Sequence, residues 1–217
     1  MIKGIIFDLD MCICDTLTVP KSALDPALKI LRNSALSPQL VAEVETALWN
    51  TSWDDIIQIY SIPEPIASEL GNAYANLETP DGVKTYGDEN FIEKIKLYKI
   101  LVTSGYTRFQ ETKIKKLGIA HLFAEIIINA SDLKEKQKGK LTIFKEFLER
   151  KKFSPEEVLV VGDNPVSELG AAKKLGIKTV QTLRPTVKKW DGADYHIAFL
   201  SELHKARYIL HSVKPPA

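Results

Sequence analysis

Three short segments and two lysines carry the side chains able to do chemistry. Asp8-Leu9-Asp10 sets two carboxylates two positions apart. Such a pair converges on one cation when the second residue turns or lends its backbone carbonyl. Taken alone, it also reads as an acidic turn. Thr103-Ser104-Gly105 offers small hydroxyls and a glycine ahead of a helical segment, where backbone N–H groups can approach phosphate oxygens; alone, Ser-Gly is a common turn. Gly162-Asp163-Asn164-Pro165-Val166-Ser167-Glu168 brings two further acids. Lys138 and Lys140 lie between the second and third segments, and each by itself reads as a solvated charge.

Each segment must be held by an element. Apolar runs over Gly4–Phe7, Ile100–Val102, Ile126–Ile128 and Val158–Val161 read as strands buried on both faces, as in a parallel sheet. Lys178–Thr182 and Asp194–Ile197 read as two more. Helical patterns alternate with them: Phe91 to Leu97, a helix closing at Ile114, Leu117 and Gly118, Ile143 to Leu148 ahead of Ser154-Pro155-Glu156-Glu157, and Leu169 to Leu175 ended by Gly176. Alternating strand and helix predicts an α/β fold with a doubly wound parallel sheet. Ligands of such sheets gather at the carboxyl ends of the strands, where the chemical segments fall.

Residues 16–80 break the alternation. Ala23–Leu31, Pro38–Leu48, Trp53–Tyr60 and Pro65–Leu77 have helical spacing with no convincing strand between them, which predicts a helical insertion after the first strand. The expected division is a core of residues 1–15 and 81–217 and an inserted unit of 16–80. Residues 17–83 hold three bases and nine acids, a net −6 that leaves +7 for the rest. Trp49, Trp53 and Tyr60 could stack on a substrate ring, but at this spacing they read as packing between helices.

Composition narrows the function classes. In 217 residues, 29 Lys+Arg against 28 Asp+Glu leave a formal charge of +1, which disfavours a nucleic-acid partner. No apolar stretch approaches the roughly 18 residues of a membrane span, so no membrane partner is expected. The only cysteines, Cys12 and Cys14, are too few for a disulfide framework and read as small packing residues. A cytoplasmic protein without a targeting segment, of open oligomeric state and with a frayed tail at Lys214–Ala217, is the expectation.

In order along the chain, Asp8-x-Asp10, Thr103, a lysine before the last helical pattern and Gly162-Asp163-x-x-x-x-Glu168 resemble the haloacid dehalogenase-like (HAD) superfamily. Tyr86-Gly87-Asp88 and Ala193–Ile197 are similar to its punctuation, and residues 16–80 to its helical cap. The resemblance implies that Asp8 is a nucleophile forming an aspartyl phosphate, and that Asp10 is a general acid and base. It implies Mg²⁺ held by Asp8, the Asp10 carbonyl and Asp163, and phosphate oxygens held by Thr103, Ser104, Gly105 and Lys138. Glu168 and Asn164 would support these groups. The acid at position 10 implies phosphate esters, hence a phosphatase of a small phosphorylated metabolite such as a nucleotide or sugar phosphate. Asp15-Thr16 with Phe109-Gln110-x-x-Lys113 resembles the pyrimidine nucleotidase-like branch.

The chain departs from the family pattern twice. Met11-Cys12 follows Asp10 where a Gly-Thr or Asn-Thr pair is common, and the Lys-Pro motif reads Lys138-Gly139-Lys140. Lys138 is preferred as the phosphate lysine because it precedes Ile143 by five residues, with Lys140 the alternative. A protein that keeps the fold but only binds a phosphorylated ligand or protein partner is the competing reading, favoured by Met11.

Overall fold

A computed structural model describes residues 1–48, 53–133 and 137–205. Six parallel strands form the central sheet: β1 (Gly4–Phe7), β4 (Tyr98–Gly105), β5 (Glu125–Ala130), β6 (Val158–Gly162), β7 (Lys178–Thr182) and β8 (Tyr195–Ile197), in the spatial order β5-β4-β1-β6-β7-β8. β1 is central, with Phe7 in register with Leu101 on one side and Val161 on the other. Ile5 and Phe7 pack on one face, with Ile114 of α6 (Thr107–Leu117). Ile6 faces the opposite way, against Phe144 and Phe147 of α7 (Gly139–Lys151) and Leu169 of α8 (Glu168–Lys174). Both phenylalanines are fully buried, contributing about 2–3 kcal/mol each. This is the expected doubly wound parallel sheet.

One expectation needs correction, and one small element was not expected. β5 is the edge strand rather than a strand buried on both faces, and Ile126 is exposed there; a continuous Ile run does not reveal which strand ends the sheet. A second, two-stranded antiparallel sheet pairs β2 (Cys14–Asp15) with β3 (Lys84–Thr85), Cys14 opposite Thr85. Strands of two residues leave no periodic signal.

That small sheet stands at the base of the inserted helices, α1 (Asp25–Asn33), α2 (Pro38–Ala47), α3 (Trp53–Ile59) and α4 (Glu64–Ala75). Pro follows the first residue of α1 and α4 and opens α2, where its missing N–H costs nothing. Leu31, Val44, Ile56 and Leu70 form a separate apolar centre, onto which Tyr106 and Phe109 from the sheet side pack. Trp53 is buried in it and stacks on Tyr74 with ring centroids 5.7 Å apart, whereas Trp49 and Lys214–Ala217 lie outside the described residues. Among the described residues, no helix is long and apolar enough to cross a membrane. Cys12 and Cys14 are buried and free, as packing residues would be.

Candidate active site

The chain leaves β1 through a tight turn. The Leu9 carbonyl accepts from the N–H groups of Ile13 (2.9 Å) and Cys14 (2.8 Å), and Met11 adopts φ 52°. A left-handed conformation is uncommon for a bulky side chain; Met11 is held there by its N–H donation to the Cys14 carbonyl (3.0 Å) and by the Tyr86 hydroxyl donating to its Sδ (3.5 Å). Arg184 reinforces the turn by donating through Nη2 to the Cys12 carbonyl (2.8 Å) and to Asp88 Oδ1 (2.8 Å). The turn therefore fixes both Asp8 and Asp10 at the carboxyl end of β1.

Asp8 is buried and accepts from Lys140 Nζ at 2.7 Å. Lys140 also donates to Glu168 Oε2 at 2.9 Å, and Glu168 Oε1 accepts from the Asn164 N–H at 2.6 Å. Asp8, Asp163 and Glu168 bring carboxylate oxygens within 4.8 Å of one another. Three carboxylates thus face one ammonium. Burial raises the Asp8 carboxyl above its ordinary value, Lys140 opposes the rise, and Glu168 adds to it. Burial, then Glu168, lifts Asp163 to about 7. For Lys140, burial works against the charged form, but Asp8 and Glu168 outweigh it and hold the ammonium protonated. With all three carboxylates ionised, the cluster is short of positive charge by two. An all-oxygen donor set with that deficit suits a hard divalent cation.

Asp10 lives in a different environment. Its Oδ1 accepts from Thr16 Oγ1 (2.8 Å) and Lys113 Nζ (2.7 Å), and its Oδ2 from Gln110 Nε2 (3.1 Å). Burial alone would raise its pKa, but Lys113 and these donors lower it. Gln110 is a bridge, since its amide also donates to the Ser104 carbonyl at 2.9 Å. Gly105 makes this approach possible: it has φ 144°, and a Cβ there would lie 2.8 Å from Gln110 Nε2.

The other expected residues divide. Thr103 is buried at the end of β4, beside β1 in the sheet. Ser104 turns its hydroxyl to Asn129, accepting from Nδ2 at 3.2 Å. The start of α6 is occupied by a carboxylate of the chain itself, because Asp132 Oδ1 accepts from the Thr107 N–H (2.8 Å) and hydroxyl (2.9 Å). The Asn164 side chain shapes its own turn, accepting from the Val166 N–H at 3.0 Å.

Lys138, the preferred phosphate lysine, lies away from this cluster. It precedes α7, half exposed, and pairs with Glu146 at 2.8 Å, while Lys140 reaches Asp8. The reason is helical phase. Lys140 shares one face of α7 with Ile143, Phe144 and Phe147, three, four and seven residues on. The same rule would have found Lys113 and Gln110, buried on the face of α6 that carries Ile114. A lysine on an apolar helical face was the available signal.

The family profile of haloacid dehalogenase-like hydrolases matches residues 5–182, which spans the whole site. The chain belongs to that family. As a haloacid dehalogenase-like hydrolase it resembles a glyceraldehyde 3-phosphate phosphatase of Methanocaldococcus jannaschii, with 28% identity over 94% of this chain and 96% of the relative. Its fold matches a HAD phosphatase from Thermococcus onnurineus at TM-score 0.64, with 21% identity over 95% of this chain and 98% of the other. A magnesium-bound HAD-hydrolase of Bacillus subtilis matches at TM-score 0.59, with 18% identity over 94% of this chain and 98% of the other.

Proposed function

We propose that this HAD-family hydrolase is a Mg²⁺-dependent phosphatase of a small phosphorylated metabolite, working through a phosphoryl group carried on Asp8. The observation that carries the reading is the buried Asp8–Lys140–Glu168 chain beside Asp163. The phosphatases named among the chain's relatives support the reaction class.

The residues divide the labour as follows. An Asp8 oxygen attacks phosphorus, the ester oxygen departs, and a carboxyl of Asp10 supplies its proton. Water, deprotonated by Asp10, then attacks the phosphoryl group, freeing Asp8 and inorganic phosphate. Asp10 accepts three hydrogen bonds as it stands, so the base role fits the geometry directly, whereas the acid role requires it to take up a proton first. Lys140 and Thr103 hold charge developing on the phosphoryl oxygens, and Glu168 aims Lys140. Asp8, Asp163 and the Asp10 carbonyl would hold Mg²⁺. The ion supplies charge neutralisation that lets an anionic nucleophile meet an anionic phosphate.

The test is phosphate release from a panel of phosphomonoesters, glyceraldehyde 3-phosphate among them, with Mg²⁺ and with excess chelator. Metal-dependent release is expected. Binding of phosphorylated ligands without turnover of any would replace the enzyme by a binding protein.

A further inference from the structure

Between the inserted helices and the sheet lies a cavity of about 600 Å³. It opens directly beside the chemistry, because Thr16 and Gln110 line it and both touch Asp10. A three-carbon leaving group would fill only a small part of such a space, which lies in the range that holds drug-sized ligands.

One wall of the cavity is aromatic. Trp53, Tyr74 and Tyr106 stack in a row, with centroids 5.7 and 5.2 Å apart, and Phe109 and Leu77 extend the apolar wall. Lys113 is the one charged side chain among the described lining residues, and its ammonium is taken by Asp10 at 2.7 Å. Among the described lining residues, no other side chain would offset a second phosphate or a carboxylate on the leaving group. Two polar atoms are left over: Tyr74 Oη and Gln110 Oε1 are buried without a hydrogen-bond partner. Buried polar atoms are ordinarily satisfied, so an unpartnered pair on two residues that line one cavity marks groups that a ligand completes once their side chains shift toward it.

We infer that this cavity receives the leaving group, and that the leaving group is an uncharged ring-bearing alcohol with an N–H or O–H donor, as in a nucleoside or a hydroxylated aromatic alcohol. The inference rests on the phosphatase reading and sharpens it away from triose phosphates. The rings of Tyr106 and Phe109 supply a flat face, Gln110 Oε1 accepts from the donor, and Tyr74 Oη takes the second polar contact. Gln110 acts twice, since its amide nitrogen holds Asp10 while its oxygen senses the leaving group.

The experiment compares kcat/KM, with Mg²⁺, for uridine 5′-monophosphate, 4-hydroxybenzyl phosphate, benzyl phosphate, glyceraldehyde 3-phosphate and fructose 1,6-bisphosphate. Calorimetric titration of the Asp8→Asn protein with the first four runs in parallel. One or both of the donor-bearing ring esters should exceed glyceraldehyde 3-phosphate and the bisphosphate by about tenfold or more, and which one leads identifies the source. Tyr74→Phe, which keeps the stack, should reduce the preference for the leading ester over benzyl phosphate about fivefold, mainly through KM. Preference for the triose phosphate, or a preference unmoved by Tyr74→Phe, overturns the inference while leaving the phosphatase reading intact. Absence of turnover with every ester defeats the phosphatase reading, and the titration then decides the cavity: tenfold tighter binding of a donor-bearing ring ester supports it, equal or weaker binding overturns it.

Discussion

Lys113 Nζ sits 2.7 Å from Asp10 Oδ1, bringing together residues 103 positions apart in the chain. Lys113 is almost fully buried, and its ammonium also lies 5.1 Å from the Phe109 ring centroid. The pair joins the turn after β1 to the helix that lines the cavity. Removing one member leaves the other as an uncompensated charge. Lys113→Met should therefore lower kcat at least about tenfold and destabilise the protein by roughly 1–3 kcal/mol, less than for a fully buried pair because Asp10 is partly exposed. Adding Asp10→Asn should restore part of the stability and none of the activity. Urea denaturation of the single and double variants measures this; simple additivity would show that the pair is not coupled.

The two lysines flanking Gly139 should behave oppositely. Lys140→Met removes the only ammonium found on Asp8 and Glu168 among the described residues, and phosphate release should fall by at least about a hundredfold. Lys138→Met breaks an exposed pair with Glu146, worth about 0–1 kcal/mol, and should leave kcat/KM within about twofold. The reverse pattern in steady-state assays would reassign the phosphate lysine.

Gly162 ends β6 against the Glu168 side chain, with which any Cβ would overlap. Glu168 cannot retreat, because Lys140 and the Asn164 N–H hold both its oxygens. Gly162→Ala should destabilise by roughly 1–3 kcal/mol and lower kcat more than it raises KM, since Lys140 loses its aim. Thermal unfolding with steady-state kinetics on the same preparation checks it, and wild-type values for both would show that the strand end yields.

Much of this arrangement is legible in the sequence because strands buried on both faces need continuous apolar runs, and the chemical residues follow directly where those runs stop. β1, β4 and β6 show it in Gly4–Phe7, Ile100–Val102 and Val158–Val161. What stays hidden is any feature decided by partners distant in the chain. The β2–β3 pairing joins positions 69 and 71 residues apart through two residues each, and Asp132 at the start of α6 leaves no local pattern. Lys140 is a different case, readable from helical phase with Ile143 and Phe144, where nearness to the apolar run favoured Lys138.

Away from the site, Asp194 accepts from Lys173 (2.9 Å), Lys178 (3.3 Å) and the Thr179 N–H (2.9 Å). Burial opposes its ionisation, but Lys173 and Thr179 prevail and hold its pKa at about 2, against an ordinary 3.8. A depressed carboxylate adds stability that is complete above its ordinary pKa and is lost as pH falls toward the folded value. Asp194→Asn should therefore be less stable than the parent by roughly 1–2 kcal/mol at pH 7, with the gap narrowing as pH drops below about 4. Urea midpoints at pH 7, 4 and 3 measure it; a gap that stays constant would mean that Asp194 contributes no charge-dependent stability.

The role of Asp8 as nucleophile is tested most directly by phosphate release from the Asp8→Asn protein, with Mg²⁺ present and folding verified by its unfolding midpoint. An amide at position 8 keeps the size and the contact to Lys140 but cannot form the phosphoryl ester bond to an attacking carboxylate oxygen. A loss of at least about a thousandfold in kcat is expected for every ester the parent hydrolyses. Turnover within tenfold of the parent would contradict it.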